Sequence, residues 1–322
     1  MTLDVTTRKV AVLVGGWSDE SDVSRSSGRE VAQALREAGF KTVDLLDVAD
    51  SDFVSSLSGG GYDVAFVAMH GKYGEDGCIQ GLLEILHIPY TFSGVLSSAM
   101  AMEKDVAKAV YRREGLPIAD GVLFPRGHEL TDEEADELVE RLGLPMFVKP
   151  AGNGSSFGIT RVTDESQLAE AVREASVDCN ALVEEAVQGI EVTVPVIGNE
   201  NPVALPIIEV VTGADFYDVK VKYEPSELHH VIPARLSDDV ADRVRDIAVS
   251  AHVALGCRGC SRSDFIIRDD GTPVILETNT IPGMTATSLL PDSARHAGIE
   301  FPELCKRFVE LALDAFEGDD RS

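Results

Sequence analysis

The segment from residue 261 to residue 284 constrains the fold of this chain most, because it predicts a β-hairpin. Asp270 and Gly271 stand between two runs in which apolar and polar residues alternate, and an Asp-Gly pair favours a two-residue turn. Side chains alternate between the two faces of a strand, so the register of that turn decides which residues share a face. One face is predicted to hold Arg262, Asp264, Glu277 and Asn279, and the other Phe265, Ile267, Val274 and Leu276.

The polar face of this predicted hairpin has the chemistry of a cation site. Asp264 is expected opposite Glu277, and two carboxylates in such positions repel unless a cation lies between them. Together with Asn279 they supply hard oxygen ligands, which suit Mg²⁺ shared with substrate phosphates. A solvated sheet face is the alternative, and a slip of one residue in the register would separate the two acids.

A Pro-Gly pair follows the hairpin. Gly283, after Pro282, offers a main-chain N–H that a ligand can approach without a Cβ in the way. Next to a metal and Arg262, we expect this N–H to stabilise a tetrahedral oxyanion. A plain turn is the alternative.

Strand and helix patterns alternate through the first hundred residues. Strands are predicted over Lys9–Val14, Thr42–Leu46 and Asp63–Ala68, with a helix over Arg25–Ala38. This alternation indicates an α/β fold with an open parallel sheet, in which ligands bind beyond the carboxyl ends of the strands. Further along, the apolar spacing predicts one helix over Val95–Glu114 and another that begins with a capping box at Thr131.

Size and composition place limits on organisation and partners. A chain of 322 residues is expected to form two or three subdomains, and changes of pattern divide it into residues 1–96, 97–190 and 191–322. The formal net charge of −27 argues against nucleic acid as a partner. Five cysteines, an odd number, and no apolar run as long as a membrane span point to a reducing cytosol. Within the Cys257-x-x-Cys260 motif we expect packing, since no second pair would complete a zinc site.

Nucleotide binding has to use something other than a P-loop, because no Gly-x-x-x-x-Gly-Lys-Ser/Thr motif occurs. The candidate lysines are Lys104, Lys149 and Lys222. Lys149 ends an apolar strand, and a buried ammonium needs a partner, which is either a phosphate or a carboxylate. Glu184 and Glu191 are spaced as contacts to an adenine edge and a ribose, although surface acids are the commoner case.

Two residues in the first third lie where a substrate would bind. Glu20 stands at the mouth of a strand-to-helix turn, where it either caps the helix or receives a substrate ammonium. His70 begins a glycine-rich loop after the third strand, as either a general base or a hydrogen-bonding residue.

Taken together, these segments resemble the D-alanine–D-alanine ligase family over nearly the whole chain. The matching stretches are VAVLVGGWSDESDVS, HGKYGEDGCIQGLLEILHIPYTFSGVLSSAMAMEKDVAK, FVKPAGNGSSFGI, FYDVKVKY and SRSDFIIRDDGTPVILETNTIPGMTATS. The resemblance implies an ATP-grasp fold with an N-terminal open parallel-sheet domain and a nucleotide between the central and C-terminal subdomains. It further implies ATP-dependent joining of two D-alanines through an acyl phosphate for peptidoglycan synthesis, by a cytoplasmic homodimer.

The same resemblance implies roles for individual residues. Lys104 and Lys149 look like the phosphate-binding lysines, and Lys222 looks like a γ-phosphate contact. The remaining nucleotide contacts would be Glu184, Glu185, Val187, Glu191 and Phe216. Two Mg²⁺ ions, or Mn²⁺ in their place, would be held by Asp264, Glu277 and Asn279.

For the amino-acid substrates, Glu20 resembles the acceptor of the first ammonium, and Gly283 and Ser288 resemble contacts to the second substrate. Arg262 would share the oxyanion with the Gly283 amide. Glu20, Ser155 and Tyr223 match a hydrogen-bonded trio that ties the loop near 213–229 over the site.

Some positions bear on substrate choice or depart from the family pattern. Tyr223 favours a dipeptide product, because ester-forming relatives tend to carry Phe there. A different D-amino acid or a D-hydroxy acid as second substrate is the alternative function. The departures are at Ser21, Asp22, Asn153 and Ile190.

Overall fold

The computed structural model of the chain describes residues 4–18, 20–152, 158–212 and 228–319. The predicted contacts at Ser155, Phe216, Lys222 and Tyr223 lie outside these ranges. The helices within them are α1 Ser21–Glu37, α2 Phe53–Gly59, α3 Cys78–Ile85, α4 Val95–Met102, α5 Lys104–Arg113, α6 Asp132–Leu142, α7 Leu168–Ala175, α8 Asp238–Ala254, α9 Leu289–His296 and α10 Phe301–Asp319. The strands are β1 Lys9–Val14, β2 Thr42–Asp47, β3 Val64–Val67, β4 Gly121–Phe124, β5 Met146–Pro150, β6 Thr160–Val162, β7 Ala181–Glu185, β8 Ile190–Ile197, β9 Val203–Ala204, β10 Ile208–Thr212, β11 Leu228–Val231, β12 Cys260–Ile267 and β13 Pro273–Asn279.

The N-terminal sheet is parallel, with β1 between β2 and β3. This confirms the predicted open parallel sheet. Its central strand is fully buried from Val10 to Leu13, as expected where helices cover both faces. Helix α1 lies close against β1 because Gly28 has no Cβ, which would collide with Val14. The C-terminal helix α10 returns to the same core, where the Phe308 ring packs edge-on against Phe92 at 5.1 Å between centroids.

The second sheet is antiparallel, with the strand order β4-β7-β5-β6. Helices α6 and α7 supply apolar side chains to its core, among them Leu138 and Val172. The predicted capping box is confirmed at the start of α6, where Thr131 and Glu134 exchange hydrogen bonds between side chain and main chain.

The third sheet has the order β11-β10-β8-β12-β13, and β9 pairs with the C-terminal end of β8. One of its faces packs against α5 and α8. Buried side chains there include Val192, Phe265 and Ile275 from the sheet, with Ala107 and Val244 from the two helices. The opposite face carries the polar residues of the predicted hairpin.

The turn of that hairpin differs from the prediction. Arg268 and Thr272 form the last main-chain pair, with 2.9 Å from the Arg268 N–H to the Thr272 carbonyl. The connection therefore has three residues, Asp269 to Gly271, and the last adopts a left-handed φ of 79°. Three-residue hairpins that end in a left-handed glycine are a common class, and an Asp-Gly pair suits them as well as a two-residue turn.

A β-bulge then restores the predicted register at the polar end. Phe265 pairs with Ile275, whereas Asp264 pairs with Glu277, so Leu276 has no partner in the ladder. Because of the extra residue, Ile275, and not Leu276 or Val274, joins Phe265 in the apolar cluster. The predicted apolar face was wrong in these positions, whereas the polar pairs hold.

The single helix predicted over residues 95–114 is wrong, because it is broken into α4 and α5. Glu103 between them is extended, with φ −87° and ψ 102°. The N–H of Lys104 leaves the helical pattern and donates to the carbonyl of Ala151 at 2.9 Å. Apolar periodicity continues through a one-residue break, so the pattern could not reveal it.

All five cysteines have free thiols. Cys257 and Cys260 are buried, which confirms that this motif serves packing. Burial raises the pKa of the Cys257 thiol to about 12. Within the described residues, every helix is too short or too polar to traverse a bilayer.

Candidate active site

The polar face of β12 and β13 assembles around Asp264. The Arg262 guanidinium donates to both of its carboxylate oxygens, from Nε to Oδ1 at 3.0 Å and from Nη2 to Oδ2 at 2.9 Å. Asn279 donates from Nδ2 to Oδ2 at 3.2 Å, and Thr193 on β8 donates its hydroxyl to Oδ1. Thr193 was not among the predicted site residues, because it lies beside Asp264 only through the pairing of β8 with β12.

Glu277 lies opposite Asp264, as predicted, and is paired with a lysine from α5. Lys104 Nζ is 3.3 Å from Glu277 Oε2, and only 6% of the Lys104 side chain is exposed. Both residues line a small cleft together with Glu75, Asn279 and Thr280. The structure therefore brings Lys104 to the carboxylates of the hairpin, which the sequence could not indicate.

Glu191 adds a third acid to this face of the sheet. Thr193 pairs with Asp264 and Glu191 pairs with Ile266, so the side chain of Glu191 points to the same side as Asp264. Burial and the charges of Asp264 and Glu277 raise the pKa of Glu191 to about 8, against the opposing effect of Arg262. The carboxylates of Asp264 and Glu277 therefore disfavour ionisation of Glu191, on the face where the sequence predicted a cation site.

The donor set fits a hard divalent cation. Asp264 and Glu277 supply carboxylates from adjacent strands, and Asn279 adds an amide, whose oxygen is a common ligand of such ions. Within the described residues, no three His, Cys, Asp or Glu side chains converge as a ready-made metal cluster. An amide and substrate oxygens would complete the shell around the two acids, as is usual for Mg²⁺.

Lys149 has a carboxylate partner, one of the two alternatives that its sequence position left open. Its ammonium pairs with Glu184 Oε2 at 2.5 Å, and Lys108 from α5 pairs with the other oxygen of the same carboxylate. Lys108 was not among the predicted site residues. Its spacing of four residues from Lys104 places both on one face of a helix, and this signal could have revealed it.

Glu185 and Val187, two further predicted nucleotide contacts, lie at the end of β7 and just after it. The Glu185 side chain accepts a hydrogen bond from Arg268 Nη2 at 2.7 Å and one from the Asp120 N–H at 3.2 Å. Val187 is half-buried in the connection between β7 and β8. The Glu185 carboxylate is thus engaged within the protein.

Glu20 lies directly before α1, is 9% exposed and makes no capping hydrogen bond to that helix. The predicted capping alternative is therefore not observed. Gly71 approaches this carboxylate so closely that a Cβ on it would lie 3.0 Å from Glu20 Oε2. The preceding residue, His70, is buried, and its Nε2 lies 3.3 Å from the hydroxyl of Ser27. This contact supports the hydrogen-bonding alternative for His70.

The segment after β13 brings Gly283 and Ser288 together. A Cβ on Gly283 would lie 3.0 Å from Ser288 Oγ, and that oxygen accepts a hydrogen bond from the Thr285 N–H at 3.2 Å. Two side chains that the sequence did not indicate hold this segment. Glu30 accepts from the Ala286 N–H at 2.7 Å, and Arg295 donates to the Ala286 carbonyl at 2.6 Å.

Family models match two parts of the chain. The model described as D-ala D-ala ligase C-terminus matches residues 110–310, and the one described as D-ala D-ala ligase N-terminus matches residues 47–93.

Curated relatives are similar over almost their full length. A D-alanine–D-alanine ligase of Desulforamulus reducens is 47% identical over 312 residues, which are 95% of this chain and 99% of the relative. A second, from Pelotomaculum thermopropionicum, is 46% identical over 96% of this chain and 98% of the relative.

Solved structures show the same architecture. The D-alanine–D-alanine ligase of Bacillus anthracis, in a crystal structure complexed with ATP, superposes with a TM-score of 0.83 at 31% identity, over 97% of this chain and 100% of that one. The ligase of Coxiella burnetii gives 0.84 at 28% identity over 98% and 97%. The hairpin with its opposed acids and the buried lysines agree with these similarities. The chain therefore belongs to the D-alanine–D-alanine ligase family and has the ATP-grasp fold.

Proposed function

We propose that this chain joins two D-alanine molecules into D-alanyl-D-alanine for peptidoglycan precursors, with conversion of ATP to ADP and phosphate. The observation that carries the proposal is the arrangement on the hairpin, where Arg262, Asp264, Glu277 and Asn279 share one face and Lys104 reaches Glu277. An acidic face with a buried guanidinium suits phosphoryl transfer, which needs positioning and charge neutralisation more than a protein nucleophile.

ATP would lie between the second and third sheets. Lys104 and Lys149 are our candidates for its phosphates, together with Lys222. On the adenosine side we propose Glu184, Glu185, Val187, Glu191 and Phe216. The side chains of Lys104 and Lys149 are 6% and 12% exposed, so they would meet phosphate in a poorly solvated site, where charge-assisted hydrogen bonds are strong.

Two Mg²⁺ ions would be held by Asp264, Glu277 and Asn279. Bound there, they would neutralise the charge that develops on the phosphate oxygens. The role of Arg262 would be to orient Asp264 through its two hydrogen bonds and to present the remaining N–H groups to the reaction centre.

In the first chemical step, the carboxylate of one D-alanine attacks the γ-phosphorus of ATP. The bond to the bridging oxygen breaks, ADP leaves and an acyl phosphate forms. Glu20 would receive the ammonium of this substrate, in the trio with Ser155 and Tyr223. Exclusion of water matters here, because an acyl phosphate hydrolyses readily.

In the second step, the amine of the other D-alanine attacks the acyl carbon. The resulting oxyanion would be stabilised by Arg262 and the N–H of Gly283. When the tetrahedral intermediate collapses, the carbon–oxygen bond to phosphate breaks, inorganic phosphate leaves and the amine gives up a proton. Ser288 would bind the second substrate.

The direct test supplies purified protein with ATP, Mg²⁺ and D-alanine and measures dipeptide by mass spectrometry alongside phosphate release. We expect one D-alanyl-D-alanine for each ADP. Faster turnover with D-lactate or D-serine as acceptor would favour the alternative second substrate. ATP binding without any condensed product would contradict ligase activity.

We also propose a cytoplasmic homodimer with subdomains 1–96, 97–190 and 191–322. The five free thiols support a reducing compartment. Ile85 on α3 and Leu96 on α4 are 77% and 69% exposed, and we propose them as candidate contacts of such a dimer.

A further inference from the structure

Helix α5 connects the two sheets that enclose the proposed nucleotide site. Lys104 and Lys108 lie one turn apart on it, and each is nearly buried. Lys104 pairs with Glu277 on β13 of the third sheet, whereas Lys108 pairs with Glu184 on β7 of the second sheet. One helical turn therefore carries a cation to each wall of the site.

The group on the second sheet, Lys108, Lys149 and Glu184, has an excess of positive charge. Two ammonium groups share one carboxylate, and the exposed fractions of the three side chains are 5%, 12% and 3%. Burial works to raise the pKa of Glu184, but Lys149 and Lys108 hold it below its ordinary value. Burial lowers the pKa of Lys108, which Glu184 opposes. A buried surplus cation is costly unless an anion completes the group.

We propose that Lys108 is a positioning residue for the nucleotide, because it remains as the counter-ion of Glu184 when Lys149 turns to the phosphates. The inference rests on the proposed function, in which Lys149 binds ATP. With Lys108 present, the buried Glu184 carboxylate keeps a cation after Lys149 has moved. Without Lys108, the same movement would leave a buried carboxylate without its cation, so Lys149 would stay on Glu184 and bind phosphate poorly.

The test compares ATP binding by isothermal titration calorimetry in Lys108→Met, Lys108→Arg, Glu184→Gln and the double variant Lys108→Met/Glu184→Gln. The three side chains sum to one positive charge in the unaltered protein, to none in Lys108→Met and again to one in the double variant. We expect Lys108→Met to raise the Kd for ATP about tenfold or more, and Lys108→Arg to stay within about threefold. Lys306→Met, on α10 and paired with Glu303 and Glu310, is the matched control and should bind ATP normally.

The decisive comparison removes Lys108 after the carboxylate has been neutralised. Glu184→Gln and the double variant should bind ATP with Kd values within about twofold to threefold of each other. In both variants the buried carboxylate charge is gone, so Lys108 has no negative charge to compensate. An equal loss from Lys108→Met in both backgrounds would show a merely structural role and overturn the proposal. If Lys108→Met alone does not fold, the comparison of Glu184→Gln with the double variant still tests the proposal. Equal Kd values for ATP in these two variants support the proposal, and a large difference between them overturns it. Absence of ATP binding in the unaltered protein would instead refute the proposed function.

Discussion

The carboxylate of Glu30 on α1 accepts a hydrogen bond from the main-chain N–H of Ala286, which is 256 positions away in the chain. Ala286 lies between Gly283 and Ser288, the proposed contacts to the second D-alanine. Arg295 on α9 donates to the carbonyl of the same residue at 2.6 Å. Side chains from the N-terminal helix α1 and the C-terminal helix α9 therefore hold this segment through the N–H and the carbonyl of Ala286.

From this relationship we predict that Glu30→Ala raises the KM for D-alanine about threefold to tenfold, while the KM for ATP changes little. Loss of a hydrogen bond to a charged acceptor costs about 1.5–3 kcal/mol, and part of that cost would appear as disorder of the acceptor site. Steady-state kinetics with each substrate varied in turn would measure it. Glu37→Ala on the same helix, where the carboxylate accepts a hydrogen bond from Gln33, should leave both KM values unaltered. A rise in the KM for ATP alone would contradict the role.

Gly283→Ala should impair use of the second D-alanine more than it impairs stability. The new Cβ would lie 3.0 Å from Ser288 Oγ, so that the hydroxyl or the loop has to shift by a few tenths of an ångström. We expect kcat/KM for the acceptor to fall about tenfold, since small misplacement of positioning groups is costly in rate. Gly81→Ala serves as the control, because its Cβ would meet nothing within 4 Å in helix α3. Equal, small effects of both substitutions would argue against a role for the Gly283 main chain.

Glu277→Gln should raise the concentration of Mg²⁺ needed for half-maximal rate about 10- to 100-fold, with the fold retained. An amide keeps the shape of the side chain but removes the negative charge opposite Asp264. Rates measured across a Mg²⁺ titration, with circular dichroism to check the fold, would show this. Glu303→Gln, an exposed carboxylate on α10, is the comparison. Unchanged Mg²⁺ dependence would refute a metal-binding role for Glu277.

Stability should decrease below neutral pH through His252. This side chain is completely buried on α8, with Nδ1 2.8 Å from Ser261 Oγ, and burial lowers its pKa from 6.5 to about 4. Between these two values the unfolded chain binds a proton that the folded chain does not, so acid favours unfolding. His252 therefore contributes its full stability above pH 6.5 and loses it as the pH falls toward 4.

We expect about 1 kcal/mol of unfolding free energy to be lost through His252 between about pH 7.5 and about pH 5.5. Urea denaturation at both pH values would measure it. In His252→Asn, which retains a polar group near Ser261 but does not titrate, that loss should be absent although the stability itself is lower. The same loss in both proteins would assign the effect to other groups.

The hairpin shows how far local patterns reach. Alternation of apolar and polar residues predicted the pairing of Arg262 with Asn279 and of Asp264 with Glu277, and the structure has both pairs. The turn has three residues instead of two, and the bulge at Leu276 compensates for the difference. Two errors of one residue each cancel at the polar end, because burial of Phe265 with Ile275 and the opposed polar pairs have to be satisfied together.

Contacts between distant segments were beyond such reasoning. Thr193 is a neighbour of Asp264 only because β8 pairs with β12, and Lys149 finds a carboxylate only because β5 lies beside β7. Lys108 reaches that carboxylate from α5, which begins after the chain breaks at Glu103. A periodic pattern reports which face of an element is buried, and it carries no information about which other element covers that face.

By itself, the sequence determined the parallel N-terminal sheet, the capping box at Thr131, the polar face of the hairpin and, through its motifs, the family. These features follow from short-range spacing, from turn chemistry and from residue types at fixed distances along the chain. Only the tertiary structure decided that Glu184 serves two lysines, that Lys104 reaches Glu277 and that Glu30 holds Ala286. Each of these pairs joins different elements, so it exists only once the packing of apolar faces has set the elements' relative positions.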